Sequence, residues 1–318
     1  MSYLPQLRST EHNSLISLMV IFLKFSIVLP ITLLGASFAI VPSNAADLLL
    51  PITFDQRSTP MVSLEIEGVP HQLRLDTGSE EGLHLRRDLL DRIEGVRFTG
   101  EMQRSSDMAG NVQENARFVI AELSVYGHTF RDIRGVEFSP WGITVREDSQ
   151  LPESSVLGLG FFKGQRILID YLSKELTVFD AASDFDPNRD TSWIEVPFRH
   201  SEEGLVLEAV IAGQPHDMVL DTGATISFVV ADRIADTVAA VPCQSIYPSL
   251  QQEGCRLIAV NTRFGDTAAL VHAFLIENEP GNFTATGLLG GDFLQHHAVF
   301  VDFAGKRMFV RPDHNQQD

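Results

Sequence analysis

One stretch of text is written twice in this 318-residue chain. Leu73-Arg74-Leu75-Asp76-Thr77-Gly78-Ser79 in the first half answers to Met218-Val219-Leu220-Asp221-Thr222-Gly223-Ala224 in the second. Each copy follows an alternating apolar–polar run that ends in a Gly turn, at 61–68 and at 205–213, and a Pro-His pair, Pro70-His71 or Pro215-His216. Period-two alternation broken by Gly is the mark of a β-hairpin. Each copy is followed by an apolar-apolar-Gly segment, Val156-Leu157-Gly158 or Leu288-Leu289-Gly290, and then by a second hairpin, at 167–179 or 299–310. The two Asp residues stand 145 apart and the closing Gly residues, 158 and 290, stand 132 apart. Order is kept while loop lengths change, which predicts two like lobes and excludes a short-period solenoid.

The expected fold is therefore all-β, with few short helices, placed at 88–93 and 231–238. The first lobe is expected over 47–182 and the second over 193–312, with a polar tail at 313–318. Between them, 183–192 is rich in Asp, Ser and Pro and lacks periodicity, so it reads as the linker.

The N-terminus is a different text. Residues 25–41 are apolar and uncharged, Lys24 and Arg8 precede them, and Ser43-Asn44-Ala45-Ala46 closes them. That is the pattern of a secretory signal over 1–46. The alternative is an uncleaved anchor, although the stretch is short for a span of about 20 residues and Pro30 interrupts it. The expected location is exported, periplasmic or secreted, with no membrane contact once the signal is cut. The formal charge is −18, with 42 acidic against 24 basic residues. Nucleic acid is excluded as a partner on that balance, because phosphate binding needs clustered Lys and Arg. Cys243 and Cys255 are the only cysteines. In an oxidising compartment such a pair closes into a disulfide.

Two copies of Asp-Thr-Gly, each after an apolar strand and each before an apolar-apolar-Gly segment, carry a resemblance. The chain resembles a single-chain, tandem retropepsin-like aspartic peptidase, of the pepsin and retropepsin type found in exported bacterial proteins. The resemblance covers roughly 50–310. It implies two acid-protease-type β-barrel lobes around a central cleft, with a peptide or protein substrate lying across it. It implies Asp76 and Asp221 as the catalytic pair. Two close carboxylates share one proton, so the charged one can take a proton from water while the neutral one donates to the scissile carbonyl. Which of the two is the base is not assigned, because the pair titrates as a unit. Gly78 and Gly223 would permit close approach of the loops. Thr77 and Thr222 would tie the loops together through hydroxyl-to-backbone hydrogen bonds. Ser79 is expected to bond Asp76, which Ala224 cannot do for Asp221. One chain holds both halves, so a monomer suffices, and neither a metal nor an organic cofactor is implied.

Relatives of this kind cover the cleft with a flap. The first-half candidate spans 105–112, with Met108 and Gly110 near its tip. The second-half candidate is the Cys243–Cys255 loop, which contains Tyr247. Glu80 and Glu81, where the second half has Thr225 and Ile226, have two readings: extra carboxylates that raise the pKa of the pair or repel acidic side chains, or plain solvated turn residues. His296-His297 lacks companions for a metal site and reads as a solvated loop. Two readings stay beside the peptidase: a peptide-binding protein that does not cut, and a regulatory peptidase with one protein target.

Overall fold

The computed structural model describes residues 46–106, 112–140, 153–235, 238–247, 253–264, 267–277 and 283–313. The signal segment up to residue 45, the flap tip with Met108 and Gly110, and the tail from residue 314 lie outside the described residues.

Strands dominate, as the alternation requires. The first half supplies β1 (Leu48–Phe54), β2 (Pro60–Ile66), β3 (Val69–Asp76), β4 (Leu83–Leu85), β5 (Val96–Ser106), β6 (Val112–Val125), β7 (His128–Glu137), β8 (Val156–Gly158), β9 (Arg166–Asp170) and β10 (Glu175–Phe179). The second supplies β11 (Ile194–Val196), β12 (Phe198–Ser201), β13 (Gly204–Ile211), β14 (Gln214–Leu220), β15 (Phe228–Val230), β16 (Ala240–Pro242), β17 (Arg256–Phe264), β18 (Thr267–Ile276), β19 (Gly287–Leu289), β20 (His297–Asp302) and β21 (Arg307–Pro312). Helix is confined to single turns, chiefly α1 (Arg87–Leu90) and α2 (Gly291–Leu294). The helix expected at 88–93 is thus the short α1. Of the one expected at 231–238, residues 236–237 lie outside the described residues, and the described part forms a 3-10 turn, Ala231–Arg233. Its ring of i→i+3 bonds stops at once because Ile234 returns to extended backbone.

Two-residue turns join the hairpins at equivalent places. Glu67-Gly68 links β2 to β3 and Ala212-Gly213 links β13 to β14, with all four residues at positive φ. Such a turn matches the twist of the flanking strands.

The lobes meet along a strand seam. β9 and β20 pair antiparallel, Ile169 opposite Val299 and Ile167 opposite Val301. This makes one continuous run β11-β21-β20-β9-β10-β1 under both halves. Residues 44–318 form one compact unit. A single apolar core runs from Leu50 and Leu64 in the first half to Leu220 and Val301 in the second. The aperiodic segment after β10 is packed on the sheet: Phe185 stacks on Phe179 at 4.5 Å and meets the Trp193 ring edge-on.

His297 corrects the solvated-loop expectation. It opens β20, is 1% exposed, and stacks on Phe293 at 4.1 Å. Its Nδ1 lies 2.8 Å from the Phe293 carbonyl oxygen, and burial lowers its pKa to about 4. Along β20 it shares a face with Val299 and Val301, both in the apolar core, and this places the ring inward. Among the described residues, no helix is long and apolar enough to cross a membrane.

Candidate active site

Each Asp is delivered by a strand that is hydrogen-bonded along both edges. β3 runs parallel to β8, with Arg74 opposite Val156 and Asp76 opposite Gly158. β14 runs parallel to β19 in the same register, Val219 opposite Leu288 and Leu220 opposite Leu289. The Asp221 amide donates to the Leu289 carbonyl at 2.9 Å. The closing segments need Gly where they pass beneath the loops. A Cβ on Gly158 would sit 2.1 Å from the Glu81 carbonyl oxygen, and one on Gly290 would sit 2.7 Å from that of Ala224.

The two loops grip each other through their threonines. The Thr77 hydroxyl donates to the Leu220 carbonyl at 2.8 Å and accepts from the Thr222 amide at 3.0 Å. The Thr222 hydroxyl donates to the Leu75 carbonyl at 3.0 Å and accepts from the Thr77 amide at 2.9 Å. Both side chains are fully buried. This reciprocal set brings Asp76 and Asp221 face to face, each against the glycine of the other loop. A Cβ on Gly78 would meet Asp221 Cγ at 2.8 Å, and one on Gly223 would meet Asp76 Cγ at 2.6 Å. Asp221 Oδ1 also accepts from the Gly223 amide at 2.7 Å.

The pair shares a site in which two charges are costly. The pKa of Asp221 is raised to about 7, first by burial and then by the charge of Asp76. The Gly223 and Gly78 amides and the Arg74 guanidinium pull the other way. Tyr171, which follows β9, feels both carboxylates; burial first, and then those charges, hold its phenol well above the ordinary value.

Ser79 does not bond Asp76. Its Oγ lies 2.6 Å from His84 Nε2 and 3.4 Å from the Glu81 carbonyl oxygen. The place beside Asp76 is taken by Arg74, whose Nη2 is 3.3 Å from Oδ2. Arg74 sits two residues before Asp76 on the same strand, so both side chains emerge on one face. Glu81 also departs from the solvated-turn reading. It is 8% exposed and pairs with Arg117 of β6, because β6 leans a long cation over the turn. Glu80 is exposed and reaches His200 of β12, with Oε1 2.8 Å from Nε2.

Of the flap candidates, Tyr247 is described. It stacks on Phe274 at 6.3 Å. Its loop joins β16 to β17, the topological counterparts of β5 and β6, and is closed by the Cys243–Cys255 disulfide. The Cα atoms of that bridge are 5.5 Å apart and the Cys243 amide donates to the Cys255 carbonyl. Opening it with Cys243→Ser and Cys255→Ser should lower unfolding stability by about 3 kcal/mol, the loss expected for a loop of this size. Chemical denaturation checks it, and non-reducing mass spectrometry reads the bridge directly. Among the described residues, no three His, Cys, Asp or Glu side chains are placed to hold a metal.

Known structures give the fold. Basic 7S globulin from soybean superposes with a TM-score of 0.54 at 10% identity, covering 86% of this chain and 97% of that one. Conglutin gamma, a basic 7S globulin from lupine seeds, does so with 0.50 at 11%, covering 84% and 95%. The chain has the pepsin-like, all-β two-lobed fold. An aspartic proteinase from Irpex lacteus covers 86% of this chain and 99% of its own at 12% identity, with a TM-score of 0.47. No family model and no curated protein matches the chain.

Three residues that matter here escaped sequence inspection: Arg74, His84 and Tyr171. Comparison of the two halves held a signal for the first two. The equivalents of Arg74 and Ser79 are Val219 and Ala224 by spacing, and that of His84 is Phe228 by strand register. A cation, a hydroxyl and an imidazole in one half stand against three apolar side chains in the other.

Proposed function

We propose that this protein is an aspartic endopeptidase, exported from the cell and of the tandem retropepsin-like kind, in which Asp76 and Asp221 activate one water against a peptide bond. The observation that carries it is the threonine grip, which sets each carboxyl against the opposite loop and lets two buried acids share one proton. The ionised member takes the water proton; the neutral member donates to the carbonyl oxygen. Both acids lie on one chain, so no second copy is required. The disulfide suits an oxidising compartment.

The test is cleavage of a peptide library by the full chain from pH 3 to 8, with Asp76→Asn and Asp221→Asn alongside. Cleavage in the wild type and at least a thousandfold loss in each variant is the expected result. Equal cleavage by wild type and variants would sink the proposal.

A second reading has its own support. Two structures that superpose on this chain are named as globulins, not proteinases, and Asp76 is already paired to a buried arginine. A protein that holds extended peptides without cutting them would bind the library with no product at any pH.

A further inference from the structure

The two carboxyl groups face each other symmetrically, but their supports do not match. Beneath Asp76 lie Arg74, 3.3 Å away with both side chains under a tenth exposed, and the bonded Ser79–His84 pair. On the Asp221 side, the equivalent Val219, Ala224 and Phe228 all belong to one apolar cluster with Val206, Ala285, Leu288 and Phe283. At these three positions a cation, a hydroxyl and an imidazole lie on the Asp76 side and hydrocarbon on the Asp221 side; the polar pair of the second half, Ser227 and Asp292, is bonded to itself and to the Gly290 amide.

We propose that Arg74 is a positioning residue that decides where the shared proton sits: it holds Asp76 as the carboxylate and leaves the proton on Asp221. The physical reason is direct. A buried cation at ion-pair distance lowers the energy of a carboxylate, whereas an apolar wall raises it. With one proton for two acids, the wall-side acid keeps it. The upward pressure on Asp221, from burial and from the Asp76 charge, has the same sense.

The other titratable groups around the pair do not cancel this. Asp292, on α2 beneath the second loop, is held by Ser227, its pKa is raised by burial, and it supplies no cation to either acid. His84, on β4, is pushed down to about 4, first by burial and further by Arg74, with Asp76 opposing, so above that pH it brings no charge. Tyr171 stays a neutral phenol. Glu81 is neutralised by Arg117, and Glu80 faces His200 at the surface. Arg74 is therefore the one full positive charge placed at the pair among the described residues. With one proton, the local sum of Arg74, Asp76 and Asp221 is zero, so the single-proton state is the one the fold favours electrostatically.

The consequence for catalysis rests on the peptidase proposal. Asp76 becomes the base that takes the water proton, and Asp221 becomes the acid facing the scissile carbonyl. Removing the arginine makes both protons of the pair harder to lose, so the window of the single-proton state moves to higher pH.

The experiment reads protonation without needing turnover. The full chain is labelled with 13C at the Asp carboxyl carbon, and the two signals are assigned with Asp76→Asn and Asp221→Asn. Between pH 5 and 6 the wild type should show Asp76 as a carboxylate and Asp221 as an acid. In Arg74→Met the proton should shift toward Asp76, changing the occupancy ratio by about tenfold, the equivalent of one pKa unit. Arg74→Lys should restore the wild-type pattern in part. A wild type with its proton on Asp76 overturns the proposal, and this needs no variant at position 74 to fold. So does a folded Arg74→Met whose carbonyl shifts match the wild type. If the peptidase proposal holds, the pH profile of kcat/KM should also move up by about one unit in Arg74→Met. A protein that cuts nothing but shows the division of carboxylate and acid would refute the peptidase reading alone.

Discussion

Asp221→Asn is expected to be more heat-stable than the wild type at pH 8, while failing to cut peptides. The opposition follows from one buried group. In the folded protein the Asp221 pKa is raised from 3.8 to about 7, first by burial and then by Asp76. A carboxyl that binds its proton more tightly when folded contributes stability in full below about 4. That contribution is lost as pH rises through about 7. Ionising the group costs the wild type on the order of 4 kcal/mol between those limits. Asparagine carries no charge at any pH and keeps an Oδ1 acceptor for the Gly223 amide. The variant should match the wild type near pH 4 and gain steadily above it. His84 and His297, both lowered to about 4, impose the reverse slope between pH 4 and 6.5. They are present in both proteins, so the difference between the two curves isolates Asp221. Thermal melts at half-unit pH intervals measure it; parallel curves from pH 4 to 8 would refute the account. Loss of cleavage in the same variant ties the destabilising group to the proposed chemistry. An enzyme keeps such a group at a cost in stability when the chemistry needs it.

Thr77→Val should be the most disruptive small change to the two Asp-Thr-Gly loops. It preserves shape and removes one hydroxyl. That hydroxyl donates to the Leu220 carbonyl and accepts from the Thr222 amide, both across the lobe boundary and both buried. A buried donor and a buried acceptor are left without this partner, at a cost of about 3 kcal/mol for the two together. Thr77→Ser keeps the hydroxyl and sacrifices only a methyl group, near 1 kcal/mol. Denaturant unfolding of the two variants separates the cases. Thr77→Val combined with Thr222→Val should show strong non-additivity, because each side chain supports the other's amide. Equal stability for Thr77→Val and Thr77→Ser would show that the grip contributes packing and not hydrogen bonding.

Much of this was legible in the sequence for one reason: the chain carries its own comparison. Duplication located both acids, both threonines, the close-packed glycines and the paired hairpins, since each motif was seen in two settings with the same neighbours. What alternation could not show was the burial of Arg74. In Leu73-Arg74-Leu75-Asp76 it reads as an outward-facing polar residue, yet all four positions are buried. The cause is tertiary: Arg74 shares its face of β3 with Asp76, and that face is turned toward the Asp-Thr-Gly loop of the opposite half, whose Gly223 lies against Asp76. His84 was hidden because its strand between β7 and β8 is only three residues long, too short for alternation to show, and its ring turns to Ser79. The helix expected at 231–238 failed on length, because an amphipathic run that short gains little from helical bonds and takes its shape from the strands around it.

The β9–β20 seam has a consequence for how such a site can change over time. In an assembly of two identical halves, any substitution appears on both sides of the axis, so an arginine placed beneath one acid is also placed beneath the other. Two buried cations against two acids would leave no reason for either acid to keep a proton. Here the halves are welded edge to edge within one chain, and each is free to mutate alone. Covalent fusion thereby turns a mirror-like pair of acids into two individually adjustable groups, one resting on charge and the other on hydrocarbon.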